Sequence, residues 1–167
     1  MIQRWDLSCG AAALATILAY QYDDPVPERE IAKEMLAATD SDLVRRQLGF
    51  SLLDLKRFLK SRGYVGEGYA KVGLGDLVEL APAIVPIRLR SFDHFVVFRG
   101  LEQGRAVLAD SAYGVRTMPV ETFLRVWRGR IAFVVRRPQR PPVANLLALP
   151  DADLLLVPEQ EIRVALP

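Results

Sequence analysis

Apolar positions recur with helical spacing along the first third of the chain. Residues 10–20 (GAAALATILAY) are small, apolar and good helix formers. The segment is apolar nearly all round, which predicts a buried central helix, with Ser8 as its N-cap. The run from Asp23 to Pro27 breaks it. Residues 28–38 (EREIAKEMLAA) predict a second helix, and residues 40–50 a polar loop. In residues 51–62 (SLLDLKRFLKSR), Leu52, Leu55, Phe58 and Leu59 form one apolar stripe. Ser51 and Asp54 approach a capping box, and Gly63 supplies the stop.

Beyond Gly63 the pattern turns to strands. Residues 64–69 predict a short strand and 74–80 a short helix. Residues 83–89 are β-branched, and 94–99 and 105–110 flank Glu102-Gln103-Gly104 as a hairpin. Tyr113-Gly114 marks a turn into a strand at 115–118. A helix at 119–127 opens with proline, and 131–135 is expected to close the sheet. Helices first and an antiparallel sheet after them predict an α+β fold.

Residues 138–167 break the pattern, holding six of the 11 prolines. Arg140 and Arg163 stand against Asp151, Asp153, Glu159 and Glu161, so this stretch is acidic. Leu154-Leu155-Leu156-Val157 is too apolar for a free linker. The expected organisation is therefore a domain at 1–137 and an extension at 138–167. That extension docks on its own domain or on a neighbouring molecule, the second case giving a homodimer.

Composition narrows the function classes. The 167 residues fit one domain with a sizeable core. A hydrophobic share of 51% and a charged share of 25% are those of a globular protein. A net charge of +2, spread along the chain, gives no footprint for nucleic acid. One cysteine excludes an intramolecular disulfide and leaves the redox compartment open. With one histidine as well, no Cys/His metal set can be assembled, and no EF-hand loop occurs. No cofactor is expected. No apolar run reaches the ~18 residues of a membrane span, and no signal peptide is visible. Met1 is read as the start of a trimmed chain. The expected location is the periplasm or cell envelope if a signal was removed, and the cytoplasm otherwise.

Four residues carry candidate chemistry. Cys9 stands at the first turn of the buried helix, where the dipole and free N–H groups favour a thiolate; Gly10 removes bulk beside it. The plain alternative is a small buried hydrophobe. His94 opens an apolar strand at a sheet end, where clefts form, although a lone histidine is more often a satisfied polar residue. Asp110 ends the next strand. If residue 94 faces residue 110, through an odd-length loop or a bulge, both side chains share a face and the carboxylate can orient the imidazole. Otherwise Asp110 is a turn residue. Gln3 could return to the sulfur and form an oxyanion hole with the Cys9 N–H, or be a solvated residue near a frayed end.

In order, these features resemble a known family. The stretch Gln3-Arg4-Trp5-Asp6-Leu7-Ser8-Cys9-Gly10-Ala11-Ala12-Ala13-Leu14 resembles the active-site segment of the bacteriocin-processing, double-glycine leader peptidases. Gly49-Phe50-Ser51-Leu52-Leu53-Asp54-Leu55 resembles their second block. His94-Phe95-Val96-Val97, then Val107 to Gly114, Phe123 and Trp127-Arg128-Gly129, resemble the third. The resemblance spans roughly residues 2–135. It implies a papain-like fold and cleavage after a Gly-Gly pair at the end of a leader peptide. Cys9 would be the nucleophile, His94 the base, Asp110 the orienting acid and Gln3 the oxyanion residue. Many relatives carry this domain on an ABC exporter, whereas this chain looks like a stand-alone member of the kind tied to bacterial envelope secretion. The expected partners are a peptide or protein substrate with a Gly-Gly motif and secretion machinery. Trp5 and Phe95 are the expected cleft walls. Three rivals remain: a non-hydrolytic peptide-binding domain, another cysteine enzyme such as an amidase or acyltransferase, and a structural domain.

Overall fold

A computed structural model describes residues 9–39, 49–89, 92–138 and 146–149. Its elements in chain order are α1 (Cys9–Tyr22), α2 (Glu28–Ala38), α3 (Leu52–Ser61), β1 (Val65–Tyr69), α4 (Leu74–Glu79), β2 (Ala83–Leu89), β3 (Phe92–Glu102), β4 (Arg105–Asp110), β5 (Gly114–Pro119), α5 (Val120–Val126) and β6 (Ala132–Arg136). A 3-10 turn, Arg128–Arg130, leads into β6. The architecture is α+β with an open six-stranded sheet, all of whose pairings are antiparallel.

Strand order is β1-β6-β2-β3-β4-β5. The last strand in sequence therefore lies inside the sheet, between β1 and β2, and does not close it at an edge. Its side chains explain why. Phe133 and Val135 point into one core and Ala132 and Val134 into the other, and such a strand needs cover on both faces. On one face, Leu14, Ile17 and Leu18 of α1, Ile31 and Met35 of α2, and Leu55, Phe58 and Leu59 of α3 pack on Ile84, Val97, Phe133 and Val135. On the other, Leu77 of α4 and Phe123 of α5 cover Val85, Ile87, Val96, Phe98 and Leu108. Burying both faces is why β2 and β3 read as near-continuous apolar runs.

Local chemistry sets the element ends. Ser51 and Asp54 form a full capping box: the Asp54 N–H donates to Ser51 Oγ at 3.3 Å, and the Ser51 N–H donates to Asp54 Oδ2 at 2.8 Å. Thr39 Oγ1 also donates to Asp54 Oδ1 at 2.8 Å, tying the end of α2 to the start of α3. α1 runs to Tyr22, two residues past its sequence-based end, because Gln21 and Tyr22 are buried and the Tyr22 hydroxyl donates to the Val135 carbonyl at 2.6 Å. Pro119 occupies the N-cap of α5 with an extended backbone, just ahead of the first helical residue. Ser8, the cap expected for α1, lies outside the described residues, as do residues 40–48 of the expected loop.

Most of the extension at 138–167, including Leu154 to Val157, also lies outside the described residues. Residues 146–149 pack on the domain. Leu147 is buried among the α1–α3 core, the Leu146 N–H donates to the Tyr20 carbonyl at 3.1 Å, and Arg99 Nε donates to the Leu147 carbonyl at 2.8 Å. Among the described residues no helix is long and apolar enough to cross a membrane.

Candidate active site

Cys9 is the first residue of α1, half-buried and a free thiol. The start of the helix is seated closely. A Cβ on Gly10 would stand 3.2 Å from Leu55 Cδ1 and 3.5 Å from Phe95 Cδ2. The missing side chain at Gly10 thus lets α1 settle on α3 and β3, beyond any role in opening the approach to sulfur.

His94 lies opposite Ile87 in the β2–β3 pair and is 8% exposed. Asp110, the last residue of β4, is 3% exposed. The His94 Nε2–H donates to Asp110 Oδ1 at 2.9 Å. The route to this contact differs from direct facing. The β3–β4 turn has only two residues, Gln103 and Gly104, with φ of 48° and 73°, and Glu102 pairs with Arg105. Positive φ at both positions marks the type I′ hairpin. Continued without interruption, that register would set Asp110 opposite Val97, on the face away from His94. A one-residue bulge at Arg99 corrects the parity: Gly100 pairs with Val107, while Phe98 pairs with Leu108 and Val97 with Ala109. Asp110 then falls across from Val96. It meets His94 as a diagonal neighbour on the same face.

Both oxygens of Asp110 have a polar neighbour. Oδ1 also accepts the Ala112 N–H at 2.9 Å, and Oδ2 lies 3.2 Å from Arg116 Nε. Burial opposes its charge, but the bonds from His94 and Ala112 and the nearby cations outweigh this and hold the carboxyl below its ordinary range. Burial likewise disfavours the charged form of His94. The Asp110 bond, a Cys9 side-chain bond and the charges of both partners outweigh it and push the imidazole up to about 9. With Nε2 on Asp110, Nδ1 is the ring nitrogen for Cys9.

Cys9 and His94 line a common cleft of about 170 Å³. Its walls are Gly49, Phe50, Pro86 and Phe95, with Asp93 at one side. Phe95 is thus one wall, and Trp5 lies outside the described residues. Gln3 does too. The structure therefore brings together Cys9, His94 and Asp110 of the four expected residues.

Sequence reasoning missed Arg116. In β5, Gly114 pairs with Asp110 and Arg116 with Leu108, so Arg116 shares the face of Asp110. The alternation through 114–118 was a usable signal once the turn at Asp110 was granted. Pro86, also missed, carries no chemical signal of its own, and Gly49 and Phe50 stand in the second family-like block with no place in the cleft legible there; only the fold brings the three to it.

Comparison with known proteins identifies the family. Residues 2–139 match the model of the Peptidase C39 family. A Pseudomonas fluorescens protein described as a probable functional amyloid protease, FapD, is 42% identical over 134 residues, covering 80% of this chain and 58% of its own length. The FapD of Pseudomonas aeruginosa is 39% identical over the same length, so the chain spans little more than half of these curated relatives. Among solved structures, a double glycine motif protease from an AMS/PCAT transporter, in complex with its leader peptide, is 29% identical with a TM-score of 0.66. That match covers 82% of this chain and 89% of the other.

Proposed function

We propose, from the premise that this chain belongs to the Peptidase C39 family, that it is a cysteine endopeptidase cleaving a leader or precursor peptide after a Gly-Gly pair in bacterial secretion. The observation that carries the reading is the His94–Asp110 bond of 2.9 Å beside a free cysteine at a helix start.

In the reaction, His94 takes the Cys9 proton through Nδ1, and the thiolate–imidazolium pair is held by Asp110 on Nε2. Sulfur attacks the carbonyl carbon of the residue before the scissile bond. The Cys9 N–H, one of the donors that a helix start leaves open, and the Gln3 amide receive the oxyanion, a contribution of about 3 kcal/mol per donor. The imidazolium gives its proton to the leaving amine and the C–N bond breaks. Water, deprotonated by His94, then hydrolyses the thioester and returns the thiol. A Gly-Gly preference is supported by the likeness to a double glycine motif protease solved with its leader peptide. The leader-bound relative and the FapD names support a peptide or protein substrate. An envelope location belongs to the same reading.

The test is incubation with a synthetic peptide carrying an internal Gly-Gly pair, read by mass spectrometry. Cleavage after the second glycine, lost in Cys9→Ala, in His94→Ala and with Val-Val in the peptide, is the expected result. Tight binding without cleavage would replace the peptidase by a peptide-binding domain.

A further inference from the structure

The geometry points to Arg116 as a positioning residue, whose guanidinium holds one oxygen of Asp110 so that the other is presented to His94. The inference rests on the peptidase reading above and adds a component to it.

The Asp110 carboxylate divides its work. Oδ1 takes the His94 Nε2–H and the Ala112 N–H, each at 2.9 Å. Oδ2 makes no hydrogen bond to a described residue and is buried, as is Arg116 Nε, yet the two lie 3.2 Å apart as an ion pair. A buried carboxylate oxygen without a counter-charge is costly, so Arg116 is what makes this placement of Oδ2 tolerable. The guanidinium is held in turn over the Tyr113 ring, 5.4 Å from its centroid.

The chemistry needs a permanent charge here. His94 alternates between imidazolium and imidazole during turnover. When it is neutral, Asp110 would face no cation and would compete for the proton. Arginine does not deprotonate, so Arg116 gives Asp110 Oδ2 a counter-charge in both protonation states of His94. Among the described residues, the groups facing Asp110 are His94 from β3, the Ala112 N–H from the turn and Arg116 from β5. The charges acting on His94 are Asp110 and Cys9, so Arg116 acts through the carboxylate.

Arg116→Met and Arg116→Lys, in the full chain, test this with the Gly-Gly peptide across pH. Arg116→Met should lower kcat by about 10- to 100-fold, the cost of a misplaced group. KM should stay within about twofold, and the acidic limb of kcat/KM should move to higher pH as Asp110 becomes easier to protonate. Arg116→Lys should recover most of the rate. A variant with lowered melting temperature but wild-type kcat and an unmoved acidic limb would overturn the inference, as would Lys performing no better than Met. Should Arg116→Met fail to fold, Arg116→Gln and Arg116→Lys carry the same comparison. Cleavage surviving Cys9→Ala would sink the peptidase reading instead. In that case the His94 ring signals in Arg116→Met decide: a changed tautomer supports positioning, and an unchanged one ends it.

Discussion

Asp110→Asn isolates the electrostatic core of the site. The variant keeps the shape of the side chain but removes its charge. His94 rises from 6.5 to about 9 against its own burial because Asp110 and Cys9 favour the imidazolium. That rise is worth about 3 kcal/mol at ~1.4 kcal/mol per pKa unit. The largest share of the favourable part comes from Asp110, so in the variant His94 should titrate at or below the ordinary histidine value. The folded pKa is the higher one. This stabilisation is therefore fully present below the unfolded value of about 6.5 and is lost as pH rises through about 9. Asp110 contributes in the opposite sense: its charge is lost as pH falls through its lowered folded value. The stability gap between wild type and Asp110→Asn should thus be widest between about pH 4 and 6.5, and narrow towards about pH 9. A gap of about 3 kcal/mol in a chain of this size is about 6–12 °C in melting temperature. The chain has one histidine, so an NMR pH titration reads His94 without assignment. A midpoint in Asp110→Asn within half a unit of wild type would refute the reasoning.

Three further substitutions test the frame around the site. Gly66→Ala would set a methyl 2.5 Å from Phe133 Cζ and 2.9 Å from Leu59 Cδ1, so urea unfolding should register a loss of about 1–3 kcal/mol; an unmoved midpoint would contradict the packing of α3 on β1 and β6. Tyr22→Phe removes the 2.6 Å bond to the Val135 carbonyl and should cost about 1–2 kcal/mol by the same measurement, with cleavage unaffected. Leu147→Ala should cost about 2 kcal/mol or more, since Leu147 is buried on the α1–α3 core; equal stability would mean that this segment does not dock there.

Much of this was legible because local chemistry wrote it. The capping box of Ser51 and Asp54, the stop at Gly63 and the apolar runs of β2 and β3 each state their element without help from distant residues. Cys9 at a helix start was readable for the same reason, whereas His94, expected to open its strand, is the third residue of β3, which pairs with β2 from Phe92 onward. Registers were not. Whether residues 102–104 make a two- or three-residue loop changes which face Asp110 takes, and the bulge at Arg99 reverses it again. That bulge is supported from afar: Gly100 has φ of 148°, and the Arg99 guanidinium donates to carbonyls of Leu147 and Ala148. The insertion of β6 into the sheet interior likewise depends on long-range pairing with β1 and β2. Arg116 was hidden because its meaning depends on the β4–β5 register.

Everything proposed for the cleft depends on a reacting Cys9–His94 pair. The rate of Cys9 alkylation by iodoacetamide, followed by mass spectrometry from pH 4 to pH 10 in wild type and His94→Ala, tests it most directly, since the chain has one cysteine. Rapid labelling at neutral pH that depends on the imidazole, and is lost in His94→Ala, is the expected result. Slow labelling that follows an ordinary thiol profile in both proteins would contradict it.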